Sequence, residues 1–400
     1  MRVLVTYGWC RTAYVAVRSL SRQGHRVYAC SSLGPAMCGW SRFCRGSARV
    51  ADAFTQPESF TRDVARLVEK WGIEIVLPAH EDGLVLRRHE SLLPPGIRLA
   101  CPDLESFECA IDKARTTRLA LAAGVPVPAT RFPESVEAAL ADAQELGFPL
   151  VVKLRRSNSG KGVVAVSDRV GLAEVLHGRF HRFCAKPDRF PILQTMVEGE
   201  VVGACFVAAH GQIKALFQEK YLRCKDGRFG TSVFRERLVT PDLAVPVAKL
   251  VSAFKWTGIG HFDFILDRAT GVPLMLEMNP RLWGAVNLAF VNGFDFPAAL
   301  IAQTAGGTDL ARYFAVQPVT DLRSLWLVGE MIAAFNRIRS GQWRETWCAA
   351  GFYLHNLRQL RFDDLVWHDP LPLLAEVLGY AGMFLRSGGS TNPVVEGMLE

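Results

Sequence analysis

Residues 258–284, GIGHFDFILDRATGVPLMLEMNPRLWG, constrain the fold of this chain more than any other segment. Two apolar runs flank Arg268-Ala269-Thr270-Gly271, and a glycine-bearing turn between such runs predicts a β-hairpin. A turn centred near Thr270 sets position 263 opposite position 277 across the ladder. Side chains alternate along a strand, so Glu277 and Asn279 share a face, and Asp263 stands across from Glu277 on it. Directly opposed β-carbons lie about 4.5–5.5 Å apart. Two carboxylates that close repel each other, and a bound cation relieves the repulsion. Asp, Glu and Asn offer hard oxygens, the donors Mg2+ takes alongside substrate phosphates. Arg281, two residues further on, keeps the same face and suits a phosphate. A hairpin with a solvated polar edge is the plain alternative. The strands are otherwise strongly apolar, so a metal site is the expectation.

The segments around the hairpin predict two textures. Residues 2–6 form a buried-strand run, 12–23 a helix closed by Gly24, and 27–30 the next strand. Helix 58–71, ended by Gly72, and strand 73–78 repeat this βαβ rhythm of a parallel sheet. The first loop, Tyr7-Gly8-Trp9-Cys10-Arg11, is not G-x-G-x-x-G, which gives a dinucleotide binder little support. From Asp112 onward, helices at 112–123 and 134–146 precede strands at 149–154 and 163–166, with a glycine-containing loop at 157–162 between the strands. Strand runs at 201–209, 212–218, 259–267 and 272–278 read as antiparallel, and helices are expected at 323–338, 343–361 and 371–386. There are no internal repeats and no low-complexity tracts. The expected architecture is an open parallel α/β domain at 1–110, α+β lobes at 111–190 and 191–315, and a helical C-terminal extension at 316–400.

Composition narrows the class. The chain has 400 residues, two or three domains at about 150 residues each. It is 50% hydrophobic and 21% charged, the profile of a globular protein with a large core. A net charge of +7 suits anionic small molecules and falls short of the basic stripe that nucleic acid demands. The N-terminus lacks the marks of a secretory signal, and no run of 18 uncharged apolar residues exists, so neither export nor a membrane-spanning helix is expected. Ten cysteines lie scattered without a C-x-x-C pair, which fits reduced thiols and a cytoplasmic protein. Cys30, Cys38 and Cys44 are better read as small apolar residues than as metal ligands. Arg337, Arg339, Arg344, Arg358 and Arg361 read as a charged helix face in water, with an acidic partner or membrane surface as the alternative.

The E-M-N-P-R run at 277–281, with Asp263 fourteen positions before Glu277, resembles the metal-binding hairpin of ATP-grasp enzymes. It is similar to the synthetase domains of the carbamoyl-phosphate synthetase large chain and to bacterial carboxylate–amine ligases. The continuation RLWGAVNLAFVNGFDFP resembles one bacterial subgroup of predicted ligases. The resemblance covers roughly residues 1–310 in domain order, with its sharp motifs between 113 and 284.

It implies an ATP-grasp fold and a set of site residues. Asp263, Glu277 and Asn279 would hold Mg2+ or Mn2+, and Arg281 would steady the transferred phosphate. Lys113 and Lys153 match the two ATP-binding lysines, and Ser159, Gly160, Lys161 and Gly162 the glycine loop over the phosphates. Gln194, Thr195, Met196 and Val197 match the hinge that reads adenine, with Glu198 or Glu200 on the ribose. Thr195 departs from the acidic or amide residue frequent there, and the choice between the glutamates stays open. Lys220 and Arg235 are candidates for lining the active site and gripping substrate, with a solvated strand face an equal alternative for both. The implied reaction is ATP-dependent joining of a carboxylate to an amine through an acyl phosphate. Amino acids or small peptides are the default substrates, and a homodimer is a common assembly for such enzymes. A kinase or carboxylase that makes no amide, and a non-catalytic ATP-binding protein, are the rival readings.

Overall fold

A computed structural model describes residues 1–157, 160, 162–225, 230–239, 243–315 and 322–387. The chain opens with strand β1 (Arg2–Val5), helix α1 (Arg11–Arg22), β2 (Arg26–Ser31) and β3 (Gly46–Arg49). Helix α2 (Pro57–Trp71), β4 (Ile75–Leu77), α3 (Asp82–Arg88), β5 (Arg98–Leu99) and α4 (Leu104–Ile111) follow. These five strands form a parallel sheet in the order β3-β2-β1-β4-β5. The order reverses direction between β1 and β4. The loops leaving the carboxyl ends of these two strands, around Tyr7–Thr12 and His80–Glu81, therefore face a common crevice, the place where open α/β sheets bind ligands.

Helix α5 (Lys113–Ala122) starts where Asp112 accepts bonds from the Ala114 and Arg115 amides, at 3.0 and 3.3 Å. Strands β6 (Thr130–Arg131), β7 (Leu150–Lys153), β8 (Val163–Val166) and β9 (Ile192–Thr195) form an antiparallel sheet in the order β6-β9-β7-β8. Helices α6 (Val136–Leu146), α7 (Arg169–His177) and α8 (His181–Cys184) accompany it. Ala139, Leu150, Val152, Leu172 and Leu193 share its core.

The third sheet carries the hairpin. Its strands are β10 (Gly199–Ala209), β11 (Gln212–Cys224), β12 (Ser232–Arg237), β13 (Gly258–Asp267), β14 (Pro273–Asn279), β15 (Arg323–Leu325) and β16 (Leu360–Phe362). They run in the order β14-β13-β10-β11-β12-β15-β16. The β13–β14 ladder pairs Asp263 with Glu277 and His261 with Asn279, as expected, but the pairs nearer the turn, such as Phe264 with Met275, run one residue out, and a β-bulge between Asp263 and Phe264 makes up the difference. Helix α9 (Ala244–Ala253) covers one face, while α10 (Val286–Val291) and α11 (Phe296–Thr304) pack on α1. One core runs from Val3, Val5 and Leu77 through Trp283, Leu288 and Phe296 to Cys205 and Val207, joining the parallel sheet to the large one.

The C-terminal extension departs from an all-helical reading. Helices α12 (Leu327–Arg339), α13 (Trp343–His355) and α14 (Leu371–Arg386) are present. The expected helix at 323–338 instead begins as strand β15, and the expected helix at 343–361 ends at His355 before strand β16. The physical reason is the open edge of β12. Arg323–Leu325 satisfies it, pairing Leu325 with Phe234 and Ser324 with Arg235, and β16 then adds in parallel. Val233, Phe234, Leu325, Trp326, Val328 and Leu360 form the core of this junction.

Candidate active site

Adjacent strands place the functional side chains by parity. Across the large sheet, Glu219, Gly203, Asp263 and Glu277 occupy one row, and Cys205, His261 and Asn279 lie in the next. The Asp263 carboxylate accepts a bond from the Tyr221 hydroxyl at 2.8 Å and one from Asn279 Nδ2 at 3.0 Å. Glu277 Oε2 stands 3.2 Å from Lys113 Nζ, which also donates to the Ser157 carbonyl at 2.6 Å. Lys113 is aimed there because Asp112 both caps α5 and pairs with Arg155 at 2.6 Å. Gly203 leaves room for the neighbouring pair: a β-carbon there would lie 2.5 Å from His261 Nε2 and 3.0 Å from Glu219 Cγ.

The electrostatics separate the two carboxyls. Burial raises the Asp263 pKa above its ordinary value, His261 opposes that, and Glu277 adds to it. Burial also works against ionising Glu277, but Lys113 and Lys153 outweigh it and hold this carboxyl below its usual range. Lys153 is pushed down to about 8 by burial, against the attraction of Glu277. His261 resists burial because Asp263 and Glu219 favour its cation, and its pKa is raised. Its Nε2 lies 3.4 Å from Glu219 Oε1, and its ring stacks on Trp283 at 5.6 Å.

Two cavities meet at these residues. One of 160 Å³ is lined by Val151, Lys153, Val163, Gln194–Val197, Val201 and Ile265. The other, of 240 Å³, is lined by the β1–α1 loop, by Arg281 and Trp283, and by Trp326, Glu376, Tyr380 and Met383 of the C-terminal extension. Gly160, Tyr221, Gly230, Asp263 and Glu277 line both. In the larger cavity Arg281 Nε donates to Glu81 Oε1 at 2.9 Å, and the Arg11 guanidinium lies 3.8 Å over the Trp326 ring.

The residues fit a divalent cation and a nucleotide. Three side chains offering oxygen converge beside two lysines. The smaller cavity has apolar walls, and Gln194 Oε1 in it is buried without a protein hydrogen-bond partner. An adenine amino group is a donor of the kind that atom lacks.

Of the expected site residues, the structure gathers Asp263, Glu277, Asn279, Arg281, Lys113, Lys153, Gly160 and Gln194–Val197 around the paired cavities. Gly162 lies close by, at the base of the β7–β8 connection, its carbonyl accepting from the Leu154 amide at 2.8 Å. Asn158, Ser159 and Lys161 lie outside the described residues. Lys220 is not part of this group: it projects from the opposite face of β11 to Tyr221 and pairs with Glu200 at 2.7 Å. Glu198 is exposed and pairs with Arg268 at 3.3 Å. Neither glutamate is among the described residues lining the two cavities. Arg235 is fully buried, bonded to Asp363 at 2.6 Å and to Ser232 at 2.8 Å, so its guanidinium is spent on holding β12 to the C-terminal extension. Sequence reasoning missed Tyr221, His261, Glu81 and Trp326. His261 was legible, since it shares strand parity with Asp263.

Solved structures resemble this fold. The biotin carboxylase domain of Hydrogenobacter thermophilus 2-oxoglutarate carboxylase, solved as a dimer with MgADP and bicarbonate, superposes with a TM-score of 0.63 at 18% identity, over 76% of this chain and 69% of that one. The L-amino acid ligase from Bacillus licheniformis gives 0.61 at 17% identity, over 80% and 78%. The chain has the ATP-grasp fold. The expected fold class therefore holds, with the two added strands as the amendment.

In sequence, this ATP-grasp chain is similar to a probable alpha-L-glutamate ligase of Thioalkalivibrio sulfidiphilus (strain HL-EbGR7). The two are 30% identical over 197 residues, 48% of this chain and 62% of that protein. A D-alanine–D-alanine ligase of Desulforudis audaxviator (strain MP104C) is 38% identical over 117 residues, 28% of this chain and 37% of that protein. The chain thus spans less than two thirds of the length of either relative. No protein-family model matches it.

Proposed function

We propose that this chain is an ATP-dependent carboxylate–amine ligase that forms an amide through an acyl phosphate and releases ADP and phosphate. The observation that carries the proposal is the position of Asp263 and Glu277, on the boundary shared by an apolar cavity and a polar one. Phosphates entering from the first would meet a carboxylate entering from the second. The carboxylate oxygen attacks the γ-phosphorus and ADP departs. The amine nitrogen then attacks the acyl carbon, the carbon–oxygen bond to phosphate breaks, and the amine gives up a proton.

A divalent ion, Mg2+ or Mn2+, held by Asp263, Glu277 and Asn279 would neutralise phosphate charge. The protein's part is positioning and charge. Lys153 and Lys113 supply cations beside Glu277. Gln194–Val197 wall the base, and Arg281, braced by Glu81, faces the acceptor side. Trp9, Trp326 and Tyr380 enclose that side and keep water from the acyl phosphate. Residues 111–190 and 191–315 are the two grasping lobes in this reading. The ligase names of the sequence relatives support amino acids or small peptides as substrates, and the scattered free thiols support a cytoplasmic setting.

The test is ADP release with Mg-ATP across a panel of amino acids, offered singly and in pairs, beside Glu277→Ala. Release that requires a particular pair, and is lost in the variant, supports a ligase. The biotin carboxylase likeness favours a second reading, a carboxylase that makes no amide. Release that requires bicarbonate and no amine would establish that reading and overturn ours.

A further inference from the structure

Among the described residues, twelve of the twenty exposed large apolar side chains lie between Met331 and Leu385. They are ordered. On α12, Met331, Phe335 and Ile338 recur at spacings of four and three and are 55%, 44% and 54% exposed. On α14, Leu371, Leu374, Leu378 and Leu385 form a second stripe. Phe335 meets Phe384 edge-on at 6.1 Å, which sets the two stripes side by side. On α13, Trp343 and Trp347 stand one turn apart, 59% and 74% exposed. A soluble surface rarely carries so large an apolar face without a partner.

The charges identify the partner. Across 322–387, Glu330, Asp363, Asp364, Asp369 and Glu376 are buried, and Glu345 is the one exposed acid. Arg339, Arg344, Arg358, Arg361 and Arg386 are exposed. The acids have been turned inward and the arginines outward, so the face is apolar with a basic surround. A second copy of the chain would set arginines against arginines. A nucleic acid would pair with the arginines but leave the leucine and methionine stripes against water or phosphate. Among the described residues, no helix is long and apolar enough to cross a membrane. Amphipathic helices that carry Trp, Phe and Leu beside Arg instead suit the boundary between acyl chains and anionic headgroups.

We propose that α12, α13 and α14 form a docking face for the surface of an anionic lipid bilayer. Helix α14 links this face to the larger cavity, since Glu376, Tyr380 and Met383 on its other side line that cavity. The surface association does not depend on the ligase reading.

The test is co-sedimentation of the full chain with vesicles of phosphatidylcholine alone and of equal parts phosphatidylcholine and phosphatidylglycerol. Binding to the anionic vesicles is expected to exceed binding to the neutral ones at least tenfold. It should fall steeply between ~0.1 and ~0.5 M salt, because the Debye length shrinks several-fold on approaching 1 M. Trp347→Asp with Leu378→Asp should abolish it, and Arg339→Glu with Arg344→Glu should remove the preference for anionic lipid. Both pairs are exposed, so unchanged circular dichroism and melting temperature are expected and separate loss of binding from loss of folding. Equal binding to both vesicles, or none, overturns the proposal. So does a dimer in solution that the same substitutions dissociate while vesicles bind nothing.

Discussion

Asp263 and Glu277 share one rung of the β13–β14 ladder, yet their carboxyls have opposite surroundings. Glu277 lies 3.2 Å from the Lys113 ammonium, while Asp263 accepts from the Tyr221 hydroxyl and the Asn279 amide. One carboxyl is ready as an anion, and the other is buried beside it with its charge uncompensated by a lysine contact. A cation between them would complete the pair.

Glu277→Ala removes the oxygen that faces both Lys113 and the cavity boundary. ADP release is expected to fall by roughly 10²–10³ or more, the scale of losing one electrostatic contact to a transition state. Nucleotide affinity, followed by fluorescence, should change by less than about tenfold, because Gln194–Val197 are untouched. Turnover within a few-fold of wild type would remove Glu277 from the mechanism.

Tyr221→Phe deletes the hydroxyl that orients Asp263 while leaving the ring. The Mg2+ concentration for half-maximal ADP release should rise about 10–100-fold, the usual cost of losing a group that orients a metal ligand. Lys220→Ala, on the far face of β11, should leave that concentration unchanged. The reverse pattern would mean that strand parity has been misread.

Arg235→Met leaves the buried Asp363 without its 2.6 Å partner. Denaturant unfolding should show a loss of about 3–5 kcal/mol, the cost of stranding one member of a buried pair. KM values of the surviving folded enzyme should stay near wild type, since the guanidinium is fully buried. A large KM change with unaltered stability would return Arg235 to the substrate site.

Asp82 is 1% exposed, accepts from the Thr6 hydroxyl, and is pushed up to about 7 by burial. Its folded pKa lies above its unfolded one, so between the two values the folded state binds more protons. The stability it contributes is complete below about pH 4 and is lost as pH rises to about 7, on the order of 4 kcal/mol at most. The difference in unfolding free energy between Asp82→Asn and wild type should shift in the variant's favour across that window and be flat above it. A difference independent of pH would contradict the assignment.

Met383→Trp narrows the larger cavity from the side of α14. The KM of the carboxylate or amine substrate should rise several-fold while the KM of ATP holds, because the smaller cavity has no α14 wall. An equal rise in both would place the nucleotide on the wrong side of Asp263.

Much of this is legible in the sequence. The hairpin was readable because strand side chains repeat every second residue and a turn near Thr270 sets the register to within the one residue that the β-bulge beside Asp263 adds. Lys113, Lys153 and the 194–197 run were reached through resemblance, and spacing alone would have left each an ordinary surface residue. Lys220 and Tyr221 show the limit. They are neighbours in sequence, and the choice between them depends on β11 continuing past Lys220, where its pairing with β10 ends, to Cys224 along β12. Nothing in QEKYLR reveals that continuation.

The local sequence determined the parallel N-terminal sheet, the hairpin and the convergence of Asp263, Glu277 and Asn279, because each follows from periodicity within a short segment. Only the tertiary structure decided which polar groups face the cavities. Arg235 is silenced by Asp363, which lies 128 residues away, and Arg281 is braced by Glu81, 200 residues earlier. The far wall of the larger cavity comes from Trp326, Glu376 and Tyr380, in a segment whose sequence reads mainly as helix. Those pairings depend on the open edge of β12 and on a core shared between sheets. They are long-range choices made by packing and hydrogen-bond satisfaction, which no local pattern encodes.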